Sequence, residues 1–248
     1  MFIAAPGYAA DQVGVVVLHG KWSTTKPKSP MGQLAAKLKT AGFLVALPSV
    51  AWSRTRYLDR DFDSAMTDID TAVQRLKSQG ATTIVVAGQS MGANAALGYG
   101  ARRNGLAGVL ALAPGHIPED QNYQDRLGHA YKQAQTAVDA GQGDKVSGYP
   151  DINQGRKKTV SMTAKTYVSW FSPNGPAHMP NNTAQLKPGT ALLWMVGTKD
   201  NMFKRGEAYA FANAPANPKN AYVVIDGASH RNTPMKGAAK VIQWLKGL

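Results

Sequence analysis

The chain has 248 residues, 44% of them apolar and 17% charged, and its 28 Lys and Arg against 15 Asp and Glu leave a net charge of +13. That length suits one large α/β domain that buries roughly 70–75% of its unfolded surface without covalent staples. The lack of cysteine excludes a disulfide scaffold, a thiolate nucleophile and cysteine-built zinc sites, and no apolar run reaches the roughly 18 residues a membrane span needs.

The first eleven residues, MFIAAPGYAAD, are short, apolar and without a basic start. They read either as the tail of a trimmed signal peptide, with Gly7-Tyr8-Ala9 as its cleavage site, or as an ordinary terminus, so the compartment stays open between export and cytoplasm. Val13–Leu18 (VGVVVL) is a β-branched run of the kind buried on both sheet faces. A proline start and apolar positions Leu34, Ala35 and Leu38 predict a helix over 30–40, closed by Gly42 and followed by a strand over 43–47. Residues 61–79 carry Phe62, Ala65, Met66, Ile69, Ala72, Val73 and Leu76 at helical spacing. A strand over 82–87 runs into GQSMG, a small-residue helix follows over 93–103, and 107–113 is a strand again.

From 116 to 188 the alternation breaks. The stretch is polar, holds an amphipathic helix over 121–140 and then turns Gly/Pro-punctuated around the aromatic segment TYVSWF. Alternation resumes with a strand over 191–196, a helix over 204–212, a strand at Ala221–Ile225 and a closing helix over 235–248. Such an order means a mostly parallel, doubly wound sheet with helices on both faces. The expected organisation is one domain over 1–248 with a lid or cap inserted at about 116–188.

The positive charge is spread over both ends of the chain; its densest cluster is Arg156-Lys157-Lys158. No zinc finger, RNA-recognition signature or basic block accompanies it, so no dedicated nucleic-acid partner is expected, while a field able to steer anionic substrates is.

Gly88-Gln89-Ser90-Met91-Gly92 matches G-x-S-x-G between a buried strand and a small-residue helix, the context that a nucleophilic serine on a sharp strand-to-helix turn requires. Neither a Walker lysine nor G-x-G-x-x-G is present, which argues against a phosphate loop. Of five histidines, His230 follows the last strand by the short loop DGASH and reaches the sheet edge where the serine lies, so it is the expected base. Asp200, after the penultimate strand, is the preferred acid to orient it. Glu119 and Asp120, after the strand over 107–113, are the runner-up pair, and Asp226 sits too near His230 to do more than trim its turn.

Leu-His-Gly-Lys after the first strand, GQSMG, GTKD and the late SHR together resemble the α/β-hydrolase superfamily of serine hydrolases, over nearly the whole chain apart from the insertion. HGKW, the Ala-Trp-Ser segment and SWFSP are similar to bacterial hydrolases of that superfamily. The resemblance implies an α/β-hydrolase fold and oxyanion-hole N–H groups supplied by the backbone of Lys21 and Met91. Two departures stand out: the two strands that usually lead the sheet are missing or reduced, and Lys21 stands where many lipases continue with glycines.

Trp22, Trp52 and Trp170 are expected to line a substrate pocket on the C-terminal side of the sheet. Tyr123, Leu127, Ala130, Ala134 and Val138 give the insertion helix one apolar face, expected to cover that edge while Trp170 and Phe171 close the pocket and Lys21 draws in anions. The expected activity is hydrolysis of a small-molecule carboxylic ester by a Ser90–His230–Asp200 triad, with no metal and no cofactor. A thioesterase or amidase with the same triad, and a non-catalytic binding protein of the same fold, are the alternatives.

Overall fold

A computed structural model of the chain describes residues 12–248, so the two readings of the N-terminal segment fall outside the described residues. The chain alternates from the start: β1 (Val13–Leu18), α1 (Pro30–Thr40), β2 (Leu44–Ala46), α2 (Phe62–Ser78), β3 (Thr83–Ser90), α3 (Met91–Arg102) and β4 (Gly108–Pro114). The insertion then supplies α4 (Gln121–Asp139), β5 (Val146–Asn153), β6 (Arg156–Thr163), α5 (Ala164–Phe171) and α6 (Met179–Ala184). β7 (Ala191–Gly197), β8 (Ala221–Ile225), α7 (Thr233–Lys236) and α8 (Ala238–Lys246) complete it.

Six strands form one parallel sheet in the order β2-β1-β3-β4-β7-β8. Alternate residues of each strand feed opposite cores. Val15 and Val17 join Met31, Leu34 and Leu38 of α1 and Val241 and Leu245 of α8 on one face. Val16 and Leu18 join the apolar stripe of α2, the small residues of α3 and the insertion on the other. Side-chain caps fix the helix starts: Ser29 accepts from Gly32 N–H and Asp61 from Ser64 N–H. The chain winds from β1 out to β2 and then back across β3, β4, β7 and β8. The order therefore reverses beside the C-terminal ends of β1 and β3, where open α/β sheets bind ligands.

Three elements differ from expectation. Residues 204–212 form no α-helix: the stretch is three short 3-10 turns, Asn201–Arg205, Glu207–Tyr209 and Phe211–Asn213, broken where Gly206 takes φ 63°. The closing helix is divided at Gly237 into α7 and α8. The punctuated part of the insertion is an antiparallel hairpin, with Val146 to Asn153 paired in register against Thr163 to Arg156. Its two-residue turn, Gln154-Gly155, has φ 49° and 78°, the left-handed pair that matches strand twist in a tight hairpin.

The insertion packs on itself and against the α2–α3 face. Leu127, Ala130 and Ala134 of α4 are buried, and Tyr167 stacks between Tyr149 and Phe171 at centroid distances of 4.5 and 4.1 Å. Its aromatic anchor is Trp170, fully buried, 5.7 Å from Trp52 and 4.8 Å from Phe62, with its indole N–H donating to Arg60 O at 2.9 Å.

Candidate active site

β3 ends in the turn that carries Ser90, whose φ of 56° and ψ of −123° lie in a region that L-residues avoid. Glycines on either side make the turn possible. A Cβ on Gly88 would sit 2.0 Å from Gly92 O, and one on Gly92 would sit 2.6 Å from Leu18 O and 2.7 Å from His19 O. Ser90 occupies the N-cap of α3 but makes no side-chain cap hydrogen bond, which leaves its hydroxyl to other partners. Met91 opens α3, where N–H groups lack intrahelical acceptors and the helix dipole favours negative charge.

The loops after β7 and β8 are laced together. Thr198 N–H donates to Ile225 O and Lys199 N–H to Ala228 O, and a Cβ on Gly197 would strike Ala228 O at 2.2 Å. This sets Asp200, 7% exposed, against His230: Asp200 Oδ2 lies 2.8 Å from His230 Nδ1, while its Oδ1 accepts from Met202 N–H at 3.1 Å. The carboxylate accepts from Nδ1, which leaves Nε2 unprotonated in the neutral ring. Ser90 Oγ and His230 Cε1 both approach Gly115, within 3.0 and 3.2 Å of the point a Cβ there would occupy, so a larger residue at 115 would wedge between them.

The other acidic positions are engaged elsewhere. Asp120 pairs with Arg205, Glu119 accepts from the Tyr209 hydroxyl, and Asp226 accepts from Thr198 Oγ1 at 3.2 Å. Of the other histidines, His116 bridges Trp170 O and the Tyr123 hydroxyl, and His19 contacts Gly20 O; desolvation holds both rings below the usual imidazole pKa.

Two clefts meet at Ser90 and His230, sharing Lys21, Asn153 and Gln154 as their common wall. The larger, about 640 Å³, runs past Trp22, Arg54 and Tyr57 to the hairpin; the smaller, about 420 Å³, runs past Met91, His116 and Tyr123. The hairpin wall is bolted to the loop after β1. Lys21 Nζ donates to Asp151 Oδ1 at 2.6 Å and to Ile152 O at 3.1 Å, and Asn153 Nδ2 donates back to Lys21 O at 3.0 Å.

These positions correct several expectations. Trp22 lines the larger cleft, but Trp52 and Trp170 do not line either. Both are fully buried, and the Trp52 indole N–H donates to His19 O at 2.6 Å. They are the anchor by which the insertion grips the body, because a large ring with one N–H is stable inside once that donor finds a carbonyl. The Lys21 ammonium is likewise no lure for anions, since its side chain is 4% exposed and already paired.

Sequence reasoning passed over Gln89, the variable residue of the elbow. Its side-chain amide donates to the carbonyls of His230 and Arg231 at 2.9 and 3.3 Å, tying the histidine loop to the serine turn. It also passed over Asn153 and Gln154 as cleft residues; the left-handed Gln-Gly pair was the one signal available.

A family model for serine aminopeptidase S33 matches residues 12–233. No curated protein matches the chain in sequence. Among solved structures it is similar to a monoacylglycerol lipase from Paleococcus ferrophilus, with TM-score 0.65 and 19% identity over 94% of each chain. A highly thermostable carboxyl esterase from Bacillus coagulans gives TM-score 0.67 and 14% identity over 97% of this chain and 91% of that one. Est1E from Butyrivibrio proteoclasticus, solved with ferulic acid bound, gives 0.61 and 17% over 98% and 91%. A serine elbow after the third strand, loops from the last two strands converging on it, and a family match spanning most of the chain give one conclusion: this protein is an α/β-hydrolase of the serine aminopeptidase S33 family.

Proposed function

We propose that this hydrolase cleaves a carboxylic ester with Ser90 as nucleophile, His230 as general base and acid, and Asp200 as the group that orients the histidine. The observation that carries this reading is the 2.8 Å contact between His230 Nδ1 and Asp200 Oδ2, made beside a serine held at φ 56°. His230 Nε2 takes the Ser90 hydroxyl proton as Oγ attacks the ester carbonyl. The resulting imidazolium is stabilised by Asp200, and the proton passes to the departing alkoxide as the acyl-enzyme forms. Water then gives a proton to the same nitrogen, attacks the acyl carbon and releases the acid, returning the proton to Oγ. In each tetrahedral stage the oxyanion is met by the backbone N–H groups of Met91, at the α3 N-terminus, and Lys21. No metal or cofactor enters these steps.

The insertion at 116–188 works in this reading as a cap whose hairpin forms the wall between the two clefts, within a single functional unit. The lipase and esterase relatives are compatible with an ester substrate. The test is a panel of p-nitrophenyl esters from acetate to palmitate, run beside a thioester and an anilide with wild-type and Ser90→Ala protein. Ester turnover that depends on Ser90 and exceeds the other two bond types is expected; faster thioester or anilide cleavage would move the activity to those classes.

A further inference from the structure

The larger cleft has a one-sided charge. Arg54, Arg156, Lys158 and Arg231 line it together with Lys21, and no carboxylate does. Among the described residues none of those first four makes an ion pair, whereas Lys21 is neutralised by Asp151. Two acids near the serine are likewise taken: Asp200 by His230, and Asp120, which lines the adjoining cleft, by Arg205. Arg156 and Lys158 stand two apart on β6 and so present to the same face of the hairpin, while Lys157 points to the other. Lys158 Nζ sits 3.6 Å from the centre of the Tyr57 ring. The hydroxyl of Tyr57 is drawn below the ordinary phenol pKa by its hydrogen bond to Lys158 and by the charges of Lys158 and Arg54, so cations from the β6 strand and from the loop after β2 converge on it. Tyr57 and Leu58 are themselves held at φ 50° and 65°, strain that a loop keeps when its shape is fixed from outside.

We propose that this cleft is an anion subsite, and that the ester cleaved at Ser90 carries a phosphate or carboxylate on the side of the scissile bond that enters it. The proposal rests on the serine-hydrolase reading for what happens at Ser90, but not for the binding of the anion. Three guanidinium forks and an ammonium around one opening suit a planar carboxylate or a phosphate, each able to accept charge-assisted hydrogen bonds. A polyanion bound along the outside would draw on the whole +13 surface; a small anion in the cleft depends on these four side chains.

Isothermal titration with phenyl phosphate and with benzoate separates the two anions. It is run on wild type, Arg156→Gln/Lys158→Gln, Arg231→Gln, and Lys37→Gln/Lys39→Gln, the last removing two exposed charges from α1 away from the cleft. Saturable one-site binding of one or both anions is expected, about tenfold or more weaker in the hairpin double variant, weakened in Arg231→Gln and unchanged in the α1 variant. In parallel, kcat/KM for mono-p-nitrophenyl glutarate against p-nitrophenyl hexanoate, and for an ester with a carboxylate on its phenol against its neutral counterpart, assigns the anion to the acyl or the alcohol side. A preference for the anionic member in at least one pair should vanish in the hairpin variant and persist in the α1 variant. Absence of anion binding, or equal weakening in both double variants, overturns the subsite. Anion binding that follows the cleft variants without any ester turnover strikes the hydrolase reading alone.

Discussion

Lys21 and Asp151 form an ion pair at 2.6 Å with side chains 4% and 0% exposed, joining the loop after β1, proposed to supply an oxyanion N–H, to the hairpin that walls both clefts. Breaking a buried pair leaves one uncompensated charge inside, which costs more than the pair itself contributes. Asp151→Ala should therefore destabilise the protein by about 3–5 kcal/mol in urea unfolding, whereas Lys21→Met/Asp151→Leu should recover most of that loss. Because the proposed oxyanion donor at 21 is a backbone N–H, the double variant should keep ester turnover within about tenfold of wild type. A recovered fold with activity at the background level would assign the chemistry to the ammonium instead.

Asp200→Asn should lower kcat by roughly 10²–10⁴-fold, since the ring loses both its tautomer control and its compensating charge. Glu119→Gln with Asp120→Asn should leave kcat nearly unchanged, because these carboxylates serve Tyr209 and Arg205 rather than His230. Steady-state kinetics of the two proteins on one p-nitrophenyl ester decides between them.

Trp170→Ala should act on stability and not on substrate affinity. The indole is fully buried between Trp52 and Phe62, so its removal should cost about 3–5 kcal/mol, the range for aromatic truncation in a core. KM for a neutral ester should stay near wild type at a temperature where the variant remains folded. A raised KM with an unchanged unfolding midpoint would return Trp170 to the substrate cleft.

Stability should fall as the pH drops below about 6.5. His116 and His19 are held neutral by desolvation, so the unfolded chain takes up protons near the ordinary imidazole pKa before the folded one does. Each contributes a loss of about 1.4 kcal/mol per pH unit between 6.5 and its own lowered value. Unfolding midpoints at pH 7.5 and 5.5 should show this, and His116→Gln should flatten the slope; an unchanged slope would mean that the ring is charged in the fold.

The buried strands were readable from residues alone because parallel strands covered on both faces are written as continuous apolar runs, such as VGVVVL, and the elbow because its glycines flank a serine between strand and helix. Asp200 and His230 followed from the places where strands end. The hairpin was not readable: in VSGYPDIN and RKKTVSMT only Tyr149, Val160 and Met162 are buried apolar residues, and the polar positions between them look like loop. Trp52 and Trp170 were misplaced for a different reason. Position along the chain sets which end of the sheet a residue occupies, but not whether its ring turns into a cleft or a core; the carbonyls of His19 and Arg60 decided that, and both are distant in sequence. The charge of Arg156 and Lys158 was visible, but its convergence with Arg54 and Arg231 needed the hairpin to fold back beside the serine.

The proposed chemistry stands or falls on Ser90 as the nucleophile, activated by His230 and Asp200. A fluorophosphonate bonds covalently only to an activated serine and assumes no natural substrate, so mass mapping of the adduct tests the claim at one atom. A single adduct on Ser90 is expected in wild type, none in Ser90→Ala, and labelling slowed by roughly 10²-fold or more in Asp200→Asn. Labelling that persists in Ser90→Ala, or a wild-type protein that takes no label, would contradict it.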